Sequence, residues 1–113
     1  MKIVIAYIKP HKLSAVTTAL HQIEALSGMS VGDVRGFGRG RARNAPHRVV
    51  EDLVDYVPHA RVEVACEDER VVEVVSAVEA AAHTGLRGDG KIYVLELVGA
   101  VRIETGERGE TAV

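Results

Sequence analysis

Cysteine is nearly absent from this chain, which carries a single one, Cys66, among its 113 residues. A lone cysteine excludes a disulfide within the chain. Long apolar runs are absent too: none approaches the ~18 to 20 residues that span a bilayer, and the apolar start is interrupted by Lys9 and Pro10 too early for a secretory signal. We therefore expect a cytoplasmic protein.

An excess of charge of either sign is also missing, since 14 lysines and arginines face 16 aspartates and glutamates, for a formal net charge of −2. A dedicated nucleic-acid-binding protein normally carries a basic excess, so we expect no nucleic acid among the partners. With 47% hydrophobic residues, 27% charged residues and only 3 prolines, the composition is that of a folded globular protein. The length predicts a single domain over residues 1–113.

Apolar patterning in the first third of the chain predicts a strand, a helix and a second strand. Residues 3–8 form a continuous apolar run rich in β-branched side chains, which is typical of a strand buried on both faces. Apolar residues then recur at spacings of three and four over residues 12–26, which predicts an amphipathic helix with Gly28 as its C-cap. Residues 29–38 contain apolar residues and glycines, and we predict a strand that leads into a turn.

The second half of the chain repeats this order. Strict alternation over residues 60–66 predicts a strand that turns one face to the core and buries the thiol of the lone cysteine. Residues 68–84 are predicted to form a helix, with Asp68 as its candidate N-cap and an apolar stripe on one side. Residues 91–98 are apolar on both faces and predict the last long strand.

The resulting order β-α-β-β-α-β predicts an α+β fold, the ferredoxin-like sandwich, in which an antiparallel sheet carries both helices on one face. The strands at residues 3–8 and 91–98 are apolar on both sides, so the face without helices would expose a larger apolar patch than a soluble monomer tolerates. We therefore expect another subunit to cover that face, in a homo-oligomer.

Two segments between these elements are candidates for function. Residues 39–58 exceed the ~12 to 15 residues of an ordinary loop, and they form either a solvated hairpin extension or a recognition arm whose apolar second half binds a partner. Residues 84–91 are rich in glycine and end in Lys91, and they form either a simple turn or an anion nest with a lysine charge for a phosphate. This second segment is not a Walker A loop, because it runs from a helix into a strand.

The remaining reactive side chains form no recognisable catalytic or metal site. The 5 histidines show no metal-ligand spacing and have no second cysteine beside them, so we expect no metal centre. The sequence shows no catalytic combination of a nucleophile, a base and a residue that orients the base. The histidines are His11, His21, His47, His59 and His83.

Five short motifs, taken together, cover nearly the whole chain. They are Lys9-Pro10, Gly36-Phe37-Gly38-Arg39, Val54-Asp55-Tyr56-Val57-Pro58, Thr84-Gly85 with Gly88-Asp89-Gly90-Lys91-Ile92, and Arg102 with Thr105-Gly106-Glu107. In their order and spacing they resemble the PII nitrogen-regulatory proteins. The joint occurrence of the five motifs is far more specific than any one of them.

This resemblance implies a homotrimer of ferredoxin-like subunits that binds an adenine nucleotide, ADP, ATP or AMP, in the clefts between neighbours. It also divides the chain into a T-loop at residues 39–58, a B-loop at residues 84–91 and a C-terminal segment at residues 102–113. The nucleotide-binding residues that it implies are Gly28, Met29, Gly36, Phe37, Gly38, Arg39, Glu63, Arg87, Gly88, Asp89, Gly90, Lys91 and Arg102. Of these, the resemblance assigns Gly28, Met29 and Arg102 to the neighbouring subunit.

The same resemblance implies that the T-loop controls a partner protein. We expect a membrane transporter or a metabolic regulator, so that the protein would reach the membrane only through its partner. The partner-binding residues implied are Arg41, Arg43, Arg48, Val49, Val50 and Leu53.

Four positions depart from the family pattern. Gly40 replaces a glutamine that, in nitrogen-sensing members, helps to coordinate magnesium and 2-oxoglutarate. His59 replaces the lysine that pairs with 2-oxoglutarate. Asp52 replaces the tyrosine that is uridylylated in many members. Glu104 replaces a basic residue, and losing a charge-assisted contact there costs ~1.5 to 3 kcal/mol, enough to erase a preference for ATP. These departures predict a divergent member, with bicarbonate as a candidate ligand in inorganic-carbon metabolism and with the role of magnesium left open.

Two alternatives remain at this stage. One is a standard nitrogen sensor that responds to ATP, ADP and 2-oxoglutarate. The other is a slow nucleotide hydrolase in which Glu63 or Glu104 places a water molecule. We expect a signalling protein and not an enzyme, because no paired base and metal ligands are visible in the sequence.

Overall fold

The computed structural model of the chain describes residues 1–36 and 56–113. The helices and strands of this part follow the predicted order, β-α-β-β-α-β. They are β1 at Lys2–Ile8, α1 at Leu13–His21, β2 at Ser30–Gly36, β3 at Val57–Cys66, α2 at Val71–Ala82 and β4 at Gly90–Glu96. Short 3-10 turns precede α1 at Pro10–Lys12 and α2 at Asp68–Arg70, and another closes the chain at Gly109–Ala112.

The strands form a four-stranded antiparallel sheet in the order β2-β3-β1-β4. Ile5 at the middle of β1 lies opposite Glu63 of β3 on one side and Tyr93 of β4 on the other. Side chains alternate between the two faces along each strand. The predicted ferredoxin-like fold is confirmed.

Both helices pack on one face of this sheet. On that face β1 and β3 bury alternate residues, and these join the helices' own buried valines and Leu20 in a single hydrophobic core. The alternation predicted for residues 60–66 is confirmed, because Ala60, Val62, Val64 and Cys66 are all buried. Burial raises the pKa of the Cys66 thiol, which fits an inert structural cysteine.

The first helix is shorter than predicted. It ends at His21 with Gln22 as its C-cap, so the prediction that it reaches residue 26 and is capped by Gly28 is wrong. Beyond the helix the chain tightens into turns, in which the amide of Ile23 donates to the carbonyl of Leu20 and the amide of Leu26 donates to that of Ile23. These turns keep Ile23 buried while the chain reverses towards β2.

The start of the second helix also differs from the prediction. Asp68 begins a 3-10 turn and makes no capping hydrogen bond, while α2 itself starts at Val71. The Asp68 carboxylate accepts a hydrogen bond from the amino group of Met1 at 2.9 Å, because β1 places that group beside the turn. This contact holds the pKa of Asp68 below its usual value and raises the pKa of the amino group.

The face of the sheet without helices is open in the single chain and carries exposed apolar side chains on β4. Tyr93 and Leu95 of β4 are 49% and 46% exposed on this face. The last strand, β4, ends at Glu96 and not at residue 98 as predicted. Beyond it, the side chains of Val98 and Ile103 are 96% and 98% exposed. The uncovered apolar surface predicted from the sequence is therefore present. No helix of the described part is both long and apolar enough to cross a membrane.

Candidate phosphate-binding loop

The B-loop joins the end of α2 to the start of β4 at one end of the sheet. Antiparallel pairing of β1 with β4 places Gly90 opposite Ile8 and Lys91 opposite Tyr7. The last residues of β1 therefore lie directly beside the loop. Lys9, the first residue after β1, follows at this same point.

The carboxylate of Asp89 holds the loop closed on itself. It accepts hydrogen bonds from the backbone amide of Thr84 at 2.8 Å, from the amide of Gly85 at 3.0 Å and from the Thr84 hydroxyl. These hydrogen bonds, led by those from Thr84, hold the pKa of Asp89 well below its usual value. The carboxylate is thus occupied within the loop, where it fixes the backbone that leads to Lys91.

Lys9 completes this arrangement from outside the loop. Its Nζ atom lies 3.1 Å from Oδ1 of Asp89 and donates to the Thr84 hydroxyl at 3.1 Å. That hydroxyl also accepts a hydrogen bond from the amide of Leu86 at 3.0 Å, so its one donor and two acceptor positions are all used. Lys9 and Thr84 belong to the motifs of the family resemblance, but their contact with Asp89 was not predicted from the sequence. An aspartate inside a loop that was predicted to bind an anion was the signal, since such a carboxylate requires a compensating cation nearby.

Gly90 is the position at which the loop depends most on glycine. Its φ of +107° is a conformation that other residues rarely adopt. A Cβ atom at this position would lie 1.7 Å from the backbone oxygen of Tyr7. The close approach of β4 to β1 thus leaves no space for any side chain.

Two cations within the loop have their side chains in solvent. Arg87 and Lys91 are exposed, and neither has an ion-pair partner within residues 1–36 and 56–113. Across the sheet, Tyr7 separates Lys91 from Arg61 of β3, whose guanidinium lies 5.8 Å from the centre of the Tyr7 ring. The loop thus presents positive charge that no described acidic side chain neutralises.

Other predicted nucleotide-binding residues lie away from this loop in the single chain. Gly36 ends β2, the opposite edge strand from β4, and strand spacing places the two edges ~14 Å apart. Gly28 and Met29 precede Ser30, which is level with Ile5 in the middle of the sheet. They line a shallow pocket of about 220 Å³ at the end of α1. One chain therefore does not bring these residues to the B-loop.

Glu63 lies on the open face of the sheet, where its Oε1 atom is 2.8 Å from Nε of Arg61. His59 lies on the same strand, and its Nδ1 atom is 3.3 Å from the carbonyl oxygen of Val57, to which it can only donate. Phe37, Gly38, Arg39 and the departures Gly40 and Asp52 lie outside the described residues. So do all the predicted partner-binding residues, which are Arg41, Arg43, Arg48, Val49, Val50 and Leu53.

The C-terminal segment folds into a small hairpin of its own. Val101 pairs with Arg108, and the amide of Arg102 donates to the carbonyl of Glu107 at 2.9 Å. The Arg102 guanidinium donates to the carbonyl of Thr111 at 3.3 Å and lies 3.7 Å from the Glu107 carboxylate. The Arg102 side chain is half-exposed, and in the single chain these contacts are all with residues of the C-terminal segment.

Comparisons with known proteins agree with this architecture. Residues 1–107 match the family described as "Nitrogen regulatory protein P-II". The chain is 42% identical to the nitrogen regulatory protein P-II of Azospirillum brasilense and 42% identical to GlnK of Escherichia coli strain K12, in each case over all 113 residues and the whole of both chains. A solved structure of Arabidopsis thaliana PII bound to citrate superposes with a TM-score of 0.79 at 33% identity, covering 99% of this chain and 91% of that one. The chain belongs to the PII nitrogen regulatory protein family.

Proposed function

We propose that this protein is a nitrogen-regulatory signalling protein that binds ADP, ATP or AMP between the subunits of a homotrimer. The observation that carries the proposal is the B-loop, in which Asp89 orders the backbone and two exposed cations, Arg87 and Lys91, have no described acidic partner. Such a loop has the chemistry of a phosphate site. The family description names a regulator, so we assign no catalytic role to Glu63 or Glu104.

A site between subunits is supported by two features of the single chain. Gly28 and Gly36 lie too far from the B-loop for one chain to place all the proposed ligands around one nucleotide. The open face of the sheet and the exposed Val98 and Ile103 provide apolar surface for neighbouring subunits to cover. Assembly would bring Arg102 of one subunit towards the nucleotide of the next.

Replacing Lys91 with alanine is expected to weaken ATP binding at least tenfold and to leave the oligomer intact, because Lys91 is exposed and makes no described contact with the core. Isothermal titration calorimetry measures the affinity, and light scattering measures the mass of the assembly. Arg70→Ala is the matched control, since it removes one positive charge at the opposite end of the sheet. Equal affinity in Lys91→Ala and wild type would remove Lys91 from the site.

The names of the relatives favour nitrogen regulation over the inorganic-carbon role that the sequence analysis raised. The response to 2-oxoglutarate is a separate matter, because His59 stands where the family has a lysine and its Nδ1 atom is engaged with Val57. An imidazole ring is a weaker and less constant source of positive charge than an ammonium group, so it attracts a dicarboxylate less. We infer that this protein responds to 2-oxoglutarate less than a standard nitrogen sensor.

Calorimetry of ATP binding with magnesium, with and without 2-oxoglutarate, separates these two functions. A standard sensor would bind ATP much more tightly with 2-oxoglutarate present, whereas the weakened response predicts little change. A parallel titration with bicarbonate tests the inorganic-carbon hypothesis, and ADP and AMP series test whether Glu104 disfavours the third phosphate of ATP.

The partner side of the function rests on the family resemblance. We infer that the T-loop, at residues 39–58, binds a membrane transporter or a metabolic regulator and brings a cytoplasmic protein to the membrane. The regulatory names of the relatives support a partner of this kind.

A further inference from the structure

The B-loop carries a negative charge in the segment proposed to hold phosphates. Asp89 lies between Gly88 and Gly90 and directly precedes Lys91. An uncompensated carboxylate at this position would repel a phosphate group. The loop therefore requires a cation of its own before it can accept a polyanion.

Lys9 is placed to supply that cation. Its ammonium group contacts both the Asp89 carboxylate and the Thr84 hydroxyl at 3.1 Å, and its side chain is only 18% exposed. A Cβ atom built on Gly88 would lie 3.9 Å from Cε of Lys9, so the lysine stem passes along the loop. A partly buried ion pair of this kind is screened less by water and salt than one on the open surface.

We propose that Lys9 is a positioning residue for phosphate binding, which neutralises Asp89 and fastens the B-loop to the end of β1. This inference rests on the proposed nucleotide site and names the residue that prepares it. With Asp89 neutralised by Lys9, the exposed Arg87 and Lys91 keep their charge for the ligand. Without Lys9, the carboxylate would compete with phosphate for those two cations.

The test is the affinity of Lys9→Met for ATP, ADP and AMP, measured by calorimetry on the full chain. Methionine retains an unbranched stem and removes the charge. The proposal predicts at least tenfold weaker ATP binding and a smaller loss for AMP, because repulsion by Asp89 grows with the number of phosphates. Lys9→Arg should restore most of the ATP affinity. Lys12→Met removes the same charge three residues later and should leave the ratio of ATP to AMP affinity within about twofold of wild type.

Each outcome decides the matter. Unchanged ATP affinity in Lys9→Met, or an equal loss for all three nucleotides, would overturn the proposal. If Lys9→Met does not fold, Lys9→Gln carries the test, since its amide can still donate a hydrogen bond near Asp89 and Thr84 while the positive charge is removed. It should show the same loss of ATP affinity with a smaller loss for AMP, and a wild-type ratio of ATP to AMP affinity would contradict the role of Lys9. If the wild-type protein binds none of the nucleotides, the proposed function fails instead.

Discussion

Replacing Gly90 with alanine is expected to lower the free energy of unfolding by ~3 kcal/mol or more and to abolish nucleotide binding. Two penalties combine at this position. A φ of +107° is strained for any residue with a Cβ atom, and that atom would lie 1.7 Å from the backbone oxygen of Tyr7. Because the obstacle is backbone and not a flexible side chain, β4 must move away from β1. The same movement displaces Lys91 from its position opposite Tyr7.

Chemical denaturation and ATP calorimetry on the same samples measure the two effects. Gly32→Ala on β2 is the matched control, because its Cβ atom would meet nothing within 4 Å and its φ is not positive. We expect that control to stay within ~0.5 kcal/mol of wild type. Gly88→Ala should fall between the two at ~1 to 2 kcal/mol, since its φ is +85° but its Cβ atom meets no backbone. A Gly90→Ala protein as stable as Gly32→Ala would show that β4 is not held against Tyr7 in this way.

Periodicity predicted the interior of each helix and strand better than its ends. The alternation at residues 60–66 identified the buried face of β3, because burial follows directly from the pleat of a strand. Gly28 was a plausible C-cap by residue type, but α1 ends at His21, and the turns that follow it keep Ile23 buried. Asp68 was a plausible N-cap, but β1 placed a free amino group beside it. The contact at Asp68 joins residues 67 positions apart, which the local sequence pattern does not contain.

The candidate site shows the same division. Glycines around a lysine predicted either a simple turn or an anion nest at residues 84–91, since that pattern is a local property of the chain. The contribution of Lys9 depends on the pairing of β1 with β4, which joins residues about eighty positions apart in the sequence. The antiparallel register of β1 and β4 pairs Ile8 with Gly90, and it therefore places Lys9 beside the start of β4. The separation of Gly28 and Gly36 from the B-loop also depends on strand order, and it is the reason to look for the site between subunits.

Acid titration is expected to separate the contribution of Asp89 from that of the other carboxylates. Charged groups reach this carboxylate from two elements: Lys9 after β1 at 3.1 Å and, when protonated, His83 after α2 at 3.6 Å. Because the pKa of Asp89 is lowered in the folded protein, the folded state gains stability from it above the usual aspartate pKa of about 3.9. This contribution is lost as the pH falls from there towards the lower pKa of the folded state. Asp89→Asn should therefore be clearly less stable than wild type at pH 7, and the difference should shrink steadily below pH ~4.

Denaturant unfolding from pH 7 down to pH 2 measures the difference in stability between wild type and Asp89→Asn. The protein concentration is kept the same throughout, because assembly of the subunits adds to the apparent stability. Asp33→Asn makes the same change on β2, where the side chain is exposed and has no hydrogen-bond or ion-pair partner among the described residues. That control should follow the wild-type curve throughout. The two carboxylates differ in their contacts, so only the removal of the Asp89 carboxylate should change how the free energy of unfolding falls at acid pH. A stability difference for Asp89→Asn that is the same at every pH would mean that shape, and not the charge of the carboxylate, holds the loop together.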